Sequence, residues 1–552
     1  MRERQQARGV GLASALTYWH TIRYLKPVQF WSRALFRVGR PQSRLVGADA
    51  APLPRNWQNP VAKPVTMTGP TRFQFLNVSQ DLNTVGWDDP EVEKLWRYNL
   101  HYFDDLGVQG SPERHQWHEE IILRWMAENP AAAGTGWEPY PVSLRIVNWI
   151  KWLLAGNLPP PGMIGSLASQ ADWLTRRLEY HLLGNHLFAN GKALVFAGLF
   201  LSGPDAERWL AIGTGILRSQ LKEQILEDGG HFELSPMYHA IALDDVLDLL
   251  NIMTAYGHDA AALGLPISKE LVVRMLEWLA AMTHPDGEIS LFNDAAFGIA
   301  PRLGDLSAYA ARLDIPIPTR PRDGLTHLAA SGYIRLQAND AVCIIDVAAI
   351  GPDYLPGHAH ADTLSFELSV HGKRLVVNSG TSLYGNGPER LRQRGTAAHN
   401  TVLIDGENSS EVWSGFRVAR RARPLGPSVS RAGDKWTISC AHDGYRRLSR
   451  PVTHTRQWTF DDRTLSVVDS FGDAKATAEA RFHFSPEVTI TAITDRQFVA
   501  DLPESTVKID IRQGEQAHLE TASWHPRFGD SVANQRLSVH SFGAPIGIKI
   551  EW

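Results

Sequence analysis

The sequence predicts a two-part chain: a helical half of stacked antiparallel pairs, as in a toroid or solenoid, and then an antiparallel β-sandwich. Three observations predict it. Apolar residues recur at helical spacing up to about residue 325 and alternate with period two beyond it. Pro- and Gly-rich breaks, such as NLPPPGMIG at 157–165, separate the helical runs by short connections, which makes successive helices antiparallel neighbours. No helical run interrupts the strands of the second half, so that half is antiparallel rather than a parallel sheet with crossovers. The boundary falls between Ile315 and Ala330, in a stretch rich in proline and charge, giving domains 1–325 and 326–552.

The elements follow in order. MRERQQARGVGLASALTYWHTIRY reads as an amphipathic helix that stays on the protein. Its apolar stretch from Val10 to Ala15 is too short and broken for a secretory signal, so the expected location is cytoplasmic or periplasmic. Helical runs span Val142–Leu154, Ile164–Leu182, Leu194–Leu201, Ala206–Leu226 and Leu271–Met282. Ser235-Pro236 reads as an N-cap with proline at the first helical position, which puts Tyr238 in a first turn. Strands are expected at 332–337, 341–347, 363–370, 374–377, 401–404, 436–440, 453–460, 465–468 and 547–551, with turn signals such as His371-Gly372 and Asp405-Gly406 between them.

Composition removes several function classes. At 552 residues, 43% hydrophobic and 21% charged, the chain is globular. A net charge of −4 gives no field for nucleic acid, and no apolar run is long enough to span a membrane. Two cysteines, Cys343 and Cys440, exclude a disulfide scaffold and a multi-cysteine metal site; two buried thiols are expected. The 18 tryptophans serve either a packed core or stacking against sugar faces. No P-loop, dinucleotide-binding glycine pattern, GxSxG or HExxH occurs.

Residues of catalytic type gather in a few stretches. Asn185 and His186, in LLGNHLFANGKAL, can donate to and neutralise an anionic group, or cap and pack a helix. Tyr238 and His239 close EDGGHFELSPMYH; a tyrosine in a first turn is a candidate general acid or base. His358 and His360, in GHAHADTLSFE, share a face if the stretch is extended and diverge if it is a loop. The stretch from Val377 to Asn400 adds Asn378, Tyr384, Arg390, Arg394 and His399, the arginines suited to carboxylate or sulfate. Trp137, Tyr140, Arg145, Asn99, His101, Tyr102, Asn293 and Asp294 either line a cleft or hold local structure.

GNHL (184–187), DGGHFELSPMYH (228–239), FND (292–294), GHAHADTLSFEL (357–368) and AAHNTVLIDG (397–406), in this order, resemble the heparinase II/III-like polysaccharide lyases. The likeness runs from Leu95 to Ser414. YNLHYF and WEPYPVSLR resemble members associated with exopolysaccharide or capsule gene clusters. The resemblance implies an incomplete (α/α) toroid before the sandwich, and β-elimination on an acidic, uronate-containing polysaccharide. Asn185 and His186 would bind the uronate carboxylate, Tyr238 would act as acid or base, and His358 would be its partner. Trp137, Arg145, His239, Asn293, Tyr384, Arg390 and Arg394 are the expected substrate-binding residues. His360, His399 and position 378 would hold a structural zinc. Asn378 stands where the family usually has aspartate, so the expectation is a weakened zinc site or a hydrogen-bonded one in its place. Two other readings remain: a glycoside hydrolase using carboxyls among Glu233, Asp294 and Asp362, and a non-catalytic glycan-binding protein. An oligomer is compatible with all three.

Overall fold

A computed structural model describes residues 15–39, 41–319, 321–472, 475–503 and 505–552. Of the N-terminal amphipathic stretch, residues 1–14 lie outside these; 15–22 are helical.

The helical half is a ring of paired helices. Long members are His115–Glu128, Pro139–Leu154, Met163–Thr175, Gly184–Phe200, Pro204–Gln224, Pro236–Ala255 and Lys269–Ala281. Their apolar faces meet in one core rich in tryptophan: Trp96, Trp125, Trp149, Trp152 and Trp209 are buried there. Ser235 caps the Pro236–Ala255 helix, its side chain accepting from the Tyr238 N–H at 3.3 Å. The run expected over Ile164–Leu182 ends at Thr175. Residues beyond it form a loop because Glu179 turns inward, its N–H donating to Asn190 Oδ1 at 2.9 Å. The next helix begins earlier than expected, at Gly184, so Gly-Asn-His forms its first turn rather than a cap.

From Gly324 onward every strand pairing between named strands is antiparallel. A five-stranded sheet runs in sequence order from Gly324–Leu328 to Lys373–Val376. An eight-stranded and a four-stranded sheet complete the sandwich. Alternating residues of the sheets form a second core, which contains both buried free thiols. The strand expected from Thr363 starts at Phe366, and GHAHADTLS before it is irregular.

The two halves are joined by a third apolar cluster. Leu234, Trp278, Met282 and Phe292 from the helical side pack on Leu328, Tyr333, Val342 and Ile344 of the sheet. The chemistry-bearing stretches converge beside this seam, from both halves.

Candidate active site

Two groups of side chains face each other across Glu233. On the helical side, Asn185 and His186 are half-buried on the first turn of their helix. That turn exists because Gly184 adopts φ +57°; a Cβ there would lie 2.3 Å from Leu355 Cδ2 and 3.2 Å from Glu233 Oε1. His186 Nδ1 lies 3.0 Å from Glu179 Oε1, and the Tyr140 ring stacks 4.4 Å from the imidazole. Burial alone would lower the His186 pKa, but the Glu179 carboxylate overrides it and the pKa is raised. Imidazolium beside a free asparagine amide is a ready carboxylate binder.

On the sandwich side, His358 stacks on Tyr238 with ring centroids 4.0 Å apart. The loop makes His358 and His360 diverge: His358 faces the cleft, while His360 is fully buried. Asp294 joins them. It lies 2.9 Å from His358 Nδ1 and 2.8 Å from His360 Nε2, and both guanidinium nitrogens of Arg390 donate to it. Burial would raise the Asp294 carboxyl, but Arg390 and the two imidazoles hold it well below the usual carboxylate range. In a neutral imidazole a carboxylate at Nδ1 holds the single proton there, so that Nε2 presents its lone pair. Glu233 Oε2 is 3.7 Å from that nitrogen. Glu233 is buried with the Asn185 N–H facing its carboxyl group, and burial raises its pKa.

Tyr238 Oη pairs with Tyr384 Oη at 2.9 Å. Burial, with Tyr384 and Asp294 nearby, raises the Tyr238 pKa well above its ordinary value. The hydroxyl therefore stays protonated, which suits an acid and not a base. Tyr384 lies 5.8 Å from the His358 ring and 5.2 Å from Phe416, which is exposed at the cleft.

Several expected substrate contacts are structural. Trp137 is buried between Trp125 and Trp173. Arg145 is fully buried over the Trp125 ring and donates to Gln170, His101 O and Gly136 O. His239 lies inside, bonded to Met275 O and stacked on Trp278. Asn293 is buried with φ +57°; it donates to Leu234 O and accepts from the His360 N–H, shaping the loops under the site. Arg390 is spent on Asp294, and Arg394 on the carbonyls of Ala359 and Ser414. Glycine, proline and apolar neighbours in the sequence do not distinguish an arginine that meets solvent from one that ties loops together.

Sequence reasoning missed Glu179 as the partner of His186 and Asp294 as the hub. Glu179 is seven residues from His186 around a turn with no local signature. Asp294 was read as a residue of FND that lines a cleft, or as one of three candidate hydrolase carboxyls, and not as the group that joins His358, His360 and Arg390.

The expected zinc ligands His360, His399 and Asn378 are adjacent. His360 Nδ1 and His399 Nε2 are 3.3 Å apart, while Asn378 Oδ1 faces the far nitrogen of His399 at 3.4 Å. Among the described residues no three His, Cys, Asp or Glu side chains gather as metal ligands. Two imidazoles and a neutral amide make a weaker donor set than two imidazoles and a carboxylate. Dialysis against a chelator should therefore leave activity within about twofold, where loss of a zinc second-shell contact alone costs ~10–100-fold; a collapse reversed by zinc would show that the donors do close on a metal.

A helical toroid packed on a sandwich, with Asn185 and His186 opposite the Tyr238–His358 pair, is the architecture of a polysaccharide lyase. The Heparinase II/III N-terminus family matches residues 87–302, and the Heparinase II/III-like, C-terminal family matches residues 320–550. The chain belongs to the heparinase II/III-like family. A heparin-sulfate lyase of Bacteroides stercoris is 22% identical over 488 residues, covering 78% of this chain and 70% of the relative. One from Pedobacter heparinus is 28% identical over 381 residues, covering 61% of this chain and 56% of its own length. The solved structure of a heparinase III superposes with a TM-score of 0.68 at 19% identity, covering 95% of this chain and 89% of that one. The heparan sulfate lyase of Pedobacter heparinus gives 0.60 at 16% identity, covering 95% and 87%. No helix among the described residues is long and apolar enough to cross a membrane.

Proposed function

We propose that this lyase cleaves an acidic polysaccharide by β-elimination at a uronate. The observation that carries the proposal is the Tyr238–His358 pair, in which Asp294 holds His358 by Nδ1 and so turns Nε2 toward the cleft beside a phenol that keeps its proton. Asn185 and imidazolium His186 bind the uronate carboxylate and neutralise it, which acidifies the C5 proton. His358 Nε2 takes that proton. The electron pair forms the C4–C5 double bond, the C4–O bond breaks, and Tyr238 Oη protonates the leaving oxygen. The cycle closes when His358 gives up the C5 proton and the Tyr238 phenolate is reprotonated, directly from water or through the hydroxyl of Tyr384 that is hydrogen-bonded to it.

Hydrolysis has weaker support. It needs two carboxyl groups across the bond. Asp294 is locked by Arg390, and Asp362 is buried against the Asn293 N–H, which leaves Glu233 alone at the cleft.

The relatives act on heparin-type chains, yet Arg145, Arg390 and Arg394 are all consumed internally here. We read the substrate as a sparsely sulfated uronate polymer. The tyrosines of YNLHYF and WEPYPVSLR around His186, in stretches resembling exopolysaccharide-associated members, favour an exopolysaccharide or capsular glycan. The test is ultraviolet absorbance of the unsaturated uronate across sulfated and unsulfated polymers. Unsulfated polymers should give the larger signal. New reducing ends without the chromophore would establish hydrolysis, and binding without product would establish a glycan-binding protein.

The raised His186 pKa sets an alkaline limit. The carboxylate-binding imidazolium is fully present at low pH and is lost as pH rises through the folded-state pKa. Glu179→Gln removes the charge that raises it, so the alkaline limb of kcat/KM should move to lower pH. An unmoved limb would assign that limb to another group.

A further inference from the structure

The Pro27–Val38 helix docks on the body by one stripe only. Lys26, just before it, ion-pairs with Glu223 and stands 3.8 Å over the Tyr354 ring. Gln29 donates to Tyr354 O, Arg33 donates to His181 O, and Phe36 packs 4.1 Å from His181 under Arg177. These positions are three or four apart and share a face. Val28, Trp31, Leu35 and Val38 have the same spacing and form the opposite face. Trp31 is 73% exposed, Leu35 71% and Val38 84%. The helix before it adds exposed Leu16, Trp19 and Ile22. Scattered exposed apolar residues are ordinary, but a continuous stripe marks a docking surface.

Charge selects what docks. Residues 15–39 contain Arg23, Lys26, Arg33 and Arg37 and no acid. Nine Arg or Lys and a single Glu precede Asp49, on a chain whose net charge is −4. A second copy would bring like charge against like. A sugar polymer is too polar to cover Leu35 and Val38. An apolar stripe carrying tryptophan, leucine and valine, on helices whose own charged residues are all cations, matches the interface of an anionic bilayer.

We propose that these two helices dock the enzyme on an anionic lipid surface, with Trp31, Leu35 and Val38 among the acyl chains and Arg23 and Arg37 among the headgroups. The docked face adjoins the catalytic loops. His181 precedes His186 by five residues, and Tyr354 precedes His358 by four. Trp413, 4.9 Å from Tyr18, lies on the hairpin that carries Phe416. The bound enzyme thus holds its cleft beside the bilayer.

The test is cosedimentation of the full chain with vesicles of phosphatidylcholine, with and without phosphatidylglycerol, at low and high salt. Binding should need the anionic lipid and weaken with salt. The double variant Trp31→Ser/Leu35→Ser should bind at least ~10-fold more weakly, each buried side chain contributing to the insertion, while cleaving soluble polymer at the wild-type rate. Equal binding by variant and wild type, or none by either, would overturn the proposal. So would a dimer in light scattering that the variant dissociates, or retention on an acidic polysaccharide that the variant alone loses.

Discussion

Tyr238→Phe should fold normally and lose ~10²–10⁴-fold in kcat, the usual worth of a positioned general acid. The ring that stacks on His358 is retained, and only the hydroxyl and its 2.9 Å bond to Tyr384 are lost. One such bond contributes about 1 kcal/mol to stability, so the thermal midpoint should shift little. The loss has a signature that a packing defect lacks. If Tyr238 donates to the leaving oxygen, a substrate whose leaving group departs without a proton should recover most of the rate in the variant. Proton abstraction by His358 would be intact. If both substrates suffer equally, Tyr238 acts on the C5 side instead, which the raised pKa of its phenol argues against. Tyr384→Phe should cost less, because Tyr384 reaches the reaction only through Tyr238.

The division of the chain was legible because periodicity changes abruptly and each half buries what its period exposes. The capped start at Ser235-Pro236 was legible for a local reason: capping chemistry acts within four residues. The four positions proposed as catalytic, Asn185, His186, Tyr238 and His358, were singled out only through their motifs in order. The rest was not legible because it depends on contacts far apart in sequence. Arg390 reads identically whether it meets a sulfate or Asp294, and the two are 96 residues apart. Trp137 and Arg145 sit in a stretch that looks like a sugar platform, yet the stretch turns inward onto Trp125. The early end of the helix before Asn185 follows from Glu179 serving both Asn190 and His186, a choice no local propensity records.

Asp294→Asn should damage the protein twice, and the two effects can be separated. Arg390 and Asp294 are both fully buried, so the substitution leaves a guanidinium in the interior without its counter-charge. Breaking such a pair costs about 3–5 kcal/mol. Because the Asp294 pKa is depressed in the fold, its contribution is present above the carboxylate's unfolded pKa and fades as pH falls through the folded value. The gap between wild type and variant in denaturant midpoints should therefore narrow in acid. Adding Arg390→Gln should recover part of the loss, since the orphaned charge is then gone. Activity should not recover with it. An amide can donate to His358 Nδ1, which places the imidazole proton on Nε2 and removes the base; the same tautomer error in a Ser-His-Asp triad costs ~10⁴-fold. A double variant that regains stability but stays inactive would show that Asp294 acts on the reaction through His358 as well as on the fold. One that regains both would reduce Asp294 to a counter-ion of Arg390 and leave the tautomer of His358 to its other neighbours.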